Sequence, residues 1–426
     1  NIDRDRYDIV PVYITKKNQL YAGAGVGNIE EYKDIPALLK KAQQVVPVHD
    51  GKRVALLKYP MQVVDPVQAY IDMAFPIVHG NNTEDGTLQG FLKMLNLPLV
   101  GPDVDGSAIG MDKYVMKTVL KDAGIPVLDG YRYRSAAFMA DEDAVMDDIE
   151  SHLNYPVIVK PVNLGSSVGI SVARDRVALY DSLSDAFAYA DAVLVERAIQ
   201  NLQEINCSVL GDVDYAEASE CEEPLNAGEI LSYENKYIGG GGSKGAKGAK
   251  AGSKSAGGAK GSQGMATLSR RIPANISDEE RETIRSIAVE AFKAMNLNGV
   301  CRIDFMIDRD TNEIYLNEAN TIPGSLSFYL WDAVGVPYKE LLNRMIALGL
   351  KRKRQQDDTT YSFDTNVLAN VSIGGGSKGA KGSKGGAAGK GGDGKGAEVS
   401  GDGGTTFGDG QGGAITGLAG SKFVIS

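Results

Sequence analysis

VCRIDFMIDRDTNEIYLNEANTIPG, from Val300 to Gly324, reads as two β-strands joined by the polar turn Asp308-Arg309-Asp310-Thr311-Asn312. Pairing Ile307 with Tyr315 across that turn sets Asp304 opposite Glu318 and Arg302 opposite Asn320. Strand side chains alternate faces, so Arg302, Asp304, Glu318 and Asn320 then share one face. Cys301, Ile303, Phe305 and Ile307 line the other, apolar face and point to a core. Two carboxylates and an amide oxygen suit a hard divalent cation, and an arginine beside them suits a phosphate or a developing oxyanion. The pattern points to magnesium–nucleotide chemistry; the alternative is a solvated hairpin face whose charges pair with one another.

Segments upstream favour the first reading. Tyr155 to Pro161 reads as a short buried strand carrying Lys160, and it runs into Gly165-Ser166-Ser167-Val168-Gly169. Small residues there let backbone N–H groups approach phosphate oxygens, and the serine hydroxyls add donors, although most such loops are plain turns. Val193 to Ile199 reads as a strand with Glu196 near its end. Met111-Asp112-Lys113 opens a helix that continues through Val119. His79 to Gly86 follows the apolar run Ala74 to Val78.

These segments, written HGNNTEDGTLQG, GMDKYVMK, VIVKPVNLGSSVG, VLVERAI, YENKY, CRIDFMID and YLNEANTIPG, resemble in order and spacing the D-alanine–D-alanine ligases, a family of the ATP-grasp carboxylate–amine ligases. The likeness covers roughly residues 7–350 apart from one insertion. It implies an α/β (α+β) ATP-grasp fold of three domains, with the nucleotide clamped between the central and C-terminal ones. The implied ligands are ATP with two Mg²⁺, for which Mn²⁺ can stand in, and D-alanine. Residue by residue, it implies that Lys113 and Lys160 bind ATP, with Ser167 in the phosphate loop. Glu196 holds the ribose hydroxyls, the backbone at Ala198 and Ile199 contacts adenine, and Glu204 closes the nucleotide site. Asp304, Glu318 and Asn320 ligate the metals, and Arg302 with the Gly324 amide receives the tetrahedral oxyanion. Ser166, Lys236 and Tyr237 sit over the amino-acid pocket. In this family the lysine–tyrosine pair accompanies an amine nucleophile and is lacking in relatives that make D-alanyl-D-lactate, so the implied product is D-alanyl-D-alanine for peptidoglycan. The alternatives are an ATP-grasp ligase for other amino acids, or a non-catalytic relative with an assembly role.

The chemistry is consistent with that set. A carboxylate must attack an anionic γ-phosphate, so cations have to offset the charge, and the resulting acyl phosphate survives only behind a lid that excludes water. Two departures stand out. Tyr7 to Ile14 looks like the family's second strand, so the first strand and its glycine loop are expected to be missing, as in a fragment or an incomplete gene. The segment Ser325 to Leu330 is shorter than in well-known members, leaving Ser325 or Ser327 to grip the second substrate's carboxylate.

The 426 residues suggest two to three domains, and 43% hydrophobic content suffices for a sizeable core. Residues 1–112 are expected to form an N-terminal α/β domain, 113–200 a central subdomain and 201–352 a C-terminal subdomain. A linker and low-complexity tail follow over 353–426. Within the third, Ser277 to Asn296 reads as a helix with a capping box from Ser277 and Glu280, ended by Asn298-Gly299. The stretches 239–264 and 374–426 are dominated by Gly, Ser, Ala and Lys and share GGGSKGAKG. Composition marks them as spacers, or as a basic arm for an anionic partner. The closing Ser421 to Ser426 could form a short strand. Net charge of −10 argues against nucleic-acid binding. No 18-residue apolar run suggests a membrane span. Cys207, Cys221 and Cys301 show neither metal spacing nor a disulfide framework, as expected of buried thiols in a reducing cytoplasm. His49, His79 and His152 form no cluster. A homodimer is one assembly the family allows.

Overall fold

The computed structural model describes residues 2–165, 168–225, 270–359 and 421–425, the last of these as backbone. Three sheets carry the fold. In the first, β1 (Tyr7–Ile14), β2 (Leu20–Ala22), β3 (Gln43–His49), β4 (Val54–Lys58) and β5 (Val67–Ile71) pair antiparallel in sequence order, and β6 (Met73–Phe75) lies beyond β1. The short links between β1 and β2, β3 and β4, and β4 and β5 leave no room for the crossover that parallel strands need, so they fold back as hairpins.

The second sheet is antiparallel in the order β7 (Gly130–Arg134), β10 (Ala192–Arg197), β8 (Val157–Pro161), β9 (Ser171–Ala173). The third has the order β13 (Arg270–Arg271), β12 (Ala216–Pro224), β11 (Leu202–Gly211), β14 (Gly299–Asp308), β15 (Glu313–Asn320), again antiparallel. A last strand, β16 (Ser421–Ile425), lies in the first sheet between β1 and β6 and is parallel to both. The sheet thus runs without interruption from β5 to β6.

The helix Asp278–Ala294 shows why the third sheet holds together. Ser277 caps it, with both hydrogen bonds of the capping box to Glu280 present. Its stripe of Ile284, Ala288, Ala291 and Phe292 is fully buried in one core with Ile205, Cys207, Cys301, Ile303, Phe305 and Ile307. Apolar spacing of three and four residues thus meets the inward face of β11 and β14. The helix stops earlier than Asn298-Gly299. Asn296 takes the left-handed conformation (φ 53°), and Leu297 N–H donates to the Phe292 carbonyl, which closes the end. Gly299 serves a different need: at φ 83° a Cβ would lie 3.1 Å from the Cα of Gly101. All three cysteines are buried and unbridged.

Candidate active site

The β14–β15 hairpin places Asp304 opposite Glu318 and Arg302 opposite Asn320, as expected. The route to that register differs from the expected one. Ile307 pairs with Ile314, not Tyr315, and a bulge between Asp304 and Phe305 accommodates one extra residue of β15, Asn317. Arg302 grips Asp304 with two parallel bonds, Nε to Oδ1 at 2.7 Å and a terminal nitrogen to Oδ2 at 2.8 Å. Asn320 Nδ2 donates to Asp304 Oδ2 at 3.0 Å. A bidentate pair of this kind fixes the plane of the guanidinium, which a lysine could not do.

Behind this face lies a desolvated charge box. Lys160 enters from β8, Glu196 from β10, and Lys113 and Lys117 from the helix Lys113–Asp122, whose start is capped by the Asp112 carboxylate. Glu196 is 0% exposed, and the three lysines are 6–8% exposed. Lys160 Nζ donates to Glu196 Oε2 at 2.7 Å and to Asn317 Oδ1 at 3.1 Å. Lys117 pairs with the other oxygen of Glu196. Lys113 Nζ donates to the Leu164 carbonyl at 2.6 Å and stands 3.7 Å from Glu318. Burial, the largest influence, would raise the Glu196 carboxyl, but Lys160 and Lys117 outweigh it and hold the group below its ordinary value. Burial lowers Lys113 and Lys117 from the usual lysine value, opposed by Glu318 at the first and by Glu196 at the second. Three ammonium groups face two carboxylates, so the box has an excess of positive charge out of water, where an anion is strongly favoured.

Beyond Arg302, Glu222 accepts from Tyr329 Oη and Asn206 Nδ2, each at 3.0 Å, and from Arg270 at 3.2 Å. Arg270 also lies over the Tyr329 ring, 4.0 Å from its centre. Burial, with the Glu222 charge adding to it, pushes the Tyr329 phenol up to about 12. Gly324 begins a tight turn in which Ser325, Leu326 and Ser327 all have φ near +50°, a conformation that L-residues hold only when their surroundings enforce it. The Ser327 hydroxyl is buried and has no hydrogen-bond partner among the described residues.

The structure thus brings together Lys113, Lys160, Glu196, Arg302, Asp304, Glu318 and Asn320. Ala198 and Ile199 follow directly after β10, with the Ala198 N–H bonded to the Pro156 carbonyl at 2.9 Å. Glu204 lies on β11 opposite Met306. Ser166, Ser167, Lys236 and Tyr237 fall outside the described residues. Sequence reasoning missed Lys117, Asn317, Glu222 and Tyr329. Only Lys117 carried a signal, sitting four residues after Lys113 and therefore on the same helix face. Among the described residues no three His, Cys, Asp or Glu side chains are grouped to hold a metal; the set here is two carboxylates and an amide.

The chain matches the profile described as D-ala D-ala ligase N-terminus over residues 1–102, and D-ala D-ala ligase C-terminus over residues 119–254 and 260–347. The D-alanine–D-alanine ligase of Geobacillus thermodenitrificans is 37% identical over 370 residues, covering 85% of this chain and 92% of that protein. The enzyme of the same name from Thermoanaerobacter sp. is 38% identical over 368 residues, covering 84% and 91%. Among solved structures, the D-alanine–D-alanine ligase from Coxiella burnetii superposes with a TM-score of 0.64 at 26% identity, covering 84% of this chain and 89% of that one. The VanG D-Ala:D-Ser ligase from Enterococcus faecalis gives 0.64 at 29% identity, covering 82% and 92%.

Proposed function

The chain belongs to the D-alanine–D-alanine ligase family, and on that premise we propose that it joins two D-alanines to D-alanyl-D-alanine, splitting ATP to ADP and phosphate. The observation that carries the reading is the buried box of three lysines and two carboxylates opening onto the Arg302–Asp304 face. The first D-alanine carboxylate attacks the γ-phosphorus, ADP leaves, and an acyl phosphate forms. The amine of the second D-alanine attacks the acyl carbon, loses a proton, and phosphate departs. Lys113 and Lys160 meet the nucleotide phosphates, with the loop at Ser166 and Ser167 donating to them. Lys117 neutralises Glu196, so that Lys160 can turn from that carboxylate to a phosphate. Glu196, Ala198, Ile199 and Glu204 surround the nucleoside. Arg302, held flat by Asp304, and the Gly324 amide receive the oxyanion. Lys236 and Tyr237 belong to the cover over the amino-acid pocket.

The donor chemistry at Asp304, Glu318 and Asn320 fits a hard cation. All three offer oxygen, and with its nitrogen engaged by Asp304, Asn320 has its oxygen left for a metal. Two Mg²⁺, or Mn²⁺, held there would offset phosphate charge. We take residues 1–112, 113–200 and 201–352 as the three domains and the cytoplasm, where ATP and D-alanine meet, as the site of action. No helix among the described residues is long and apolar enough to cross a membrane. A homodimer is our working assembly.

The test is product analysis with Mg-ATP and a panel of D-alanine, D-serine, D-lactate and L-alanine. The proposal expects one ADP per D-alanyl-D-alanine and little turnover with D-lactate as second substrate. Turnover with other amino acids but none with D-alanine would overturn the substrate and leave the ligase chemistry standing.

A further inference from the structure

We infer that the gap between β1 and β6 is a strand-accepting slot, that its occupant is the same molecule's Ser421–Ile425, and that a free peptide of that sequence can take its place. The pairing is continuous. Tyr7 to Pro11 are in register with Ser421 to Ile425, and Met73 to Phe75 with Phe423 to Ile425. β1 is an inner strand of the sheet and β6 its last, but the outer side of β6 is not open. On its far side the β6 backbone is already committed, the Ala74 N–H to the Pro98 carbonyl at 2.8 Å and the Ala74 carbonyl to the Val100 N–H at 2.9 Å. On the near side, Met73 and Phe75 look to β16. β1 pairs with β2 only from Val12 to Ile14 on its other edge.

Met73, Ala74 and Phe75 are 1–3% exposed, and Tyr7, Met73 and Phe75 share a core with Trp331, Leu341 and Ile346. Without β16 the facing peptide groups of β1 and β6 would lose their strand partner along this stretch, which proteins avoid. The sequence Phe423-Val424-Ile425 is aromatic and β-branched, residue types that favour a strand. Direction matters as well. β16 is parallel to β6, and β6 leads directly to Pro76 and the His79–Gly86 loop, whose Glu84 is bonded by the Gly80 N–H and His79. A filled slot therefore braces the strand from which that loop departs. Recognition is by main-chain hydrogen bonds along an extended segment, the mode of strand addition.

The experiment is hydrogen exchange without substrate, so that it stands apart from the ligase assignment. Three proteins are compared: the full chain, a chain ending at Gly420, and the full chain carrying Val424→Pro, which removes a ladder N–H from the strand. Amides of residues 7–10 and of Met73 and Phe75 are expected to exchange at least about tenfold faster in both variants, with those of β14 unchanged. Adding the synthetic peptide Ser421–Ser426 to the shortened chain should restore protection saturably, and the same peptide with Val424→Pro should not. If the shortened chain fails to fold, the Val424→Pro chain still reads the slot. Unchanged exchange in both variants, or no rescue by the peptide, overturns the inference. So does protection that appears only at concentrations where light scattering shows a dimer, because the occupant would then be a second copy.

Discussion

Two clusters of ionised side chains make opposite use of the same chemistry. At Arg176 one guanidinium, its side chain 36% exposed, meets three carboxylates, Asp143 and Asp147 at 2.8 and 2.7 Å and Glu150 at 2.5 Å. At Glu196 one carboxylate with no exposure meets two ammonium groups, and a third lysine stands nearby. Water screens the surplus charge of the first, which ties the helix Glu142–His152 to the start of the helix Arg176–Phe187 and does little else. The surplus of the second lies on lysines only 6–8% exposed, where water screens it far less. The lesson is that distance alone does not separate a structural ion pair from a site; the sign of the unmatched charge and its access to water do.

Mutations can break that contrast. The largest effect is expected at the exit of the buried box. Arg302→Lys and Glu318→Gln should each lower kcat/KM by about 10²–10³, with Tm within a few degrees of wild type, because both groups serve charge and geometry more than packing. Steady-state kinetics beside a thermal melt checks this. Next, Glu196→Leu strands Lys117 and Lys160 without an anion and should cost about 3–5 kcal/mol in denaturant unfolding. The gentler Glu196→Gln adds a sign test. The wild-type carboxyl lies below its ordinary value of 4.5, so its stabilisation is complete above that pH and fades as pH falls through the lower folded value. Melts of the two proteins should therefore converge in acid. A growing gap as pH falls would contradict the arrangement.

Smaller changes follow. Lys117→Met should raise KM for ATP about tenfold with a lesser change in kcat, since Glu196 then competes with phosphate for Lys160. Lys117→Arg should recover most of that loss. At the exposed cluster, Arg176→Gln should leave kinetics unaltered and move Tm by no more than about 2 °C. A large loss of stability there would erase the distinction between the two clusters.

Much of this was legible in residues 300–324, because a hairpin writes its register in a local pattern of period two. The bulge at Asn317 was not legible: one extra residue leaves the alternation readable on both sides, and only the fold shows where the shift is absorbed. The helix at 278–294 was plain from its cap and stripe, whereas its end was misplaced because Asn296 and Gly299 both suit a left-handed residue. Glu222 and Tyr329 lie 107 positions apart and meet only through tertiary packing. The filling of the first sheet by Ser421–Ile425 was beyond local reading for the same reason, since strand partners are chosen by the whole core.

The central claim is that the surplus positive charge of the buried box is there to take nucleotide phosphate. Calorimetric titration of ATP into wild type and Lys160→Met tests it most directly. Lys117 still holds Glu196 in the variant, so the protein should stay folded while its box becomes charge-balanced. The account predicts measurable ATP binding by wild type and an affinity lower by at least about tenfold in Lys160→Met, with an unaltered melt. Equal affinity in the two folded proteins would contradict it.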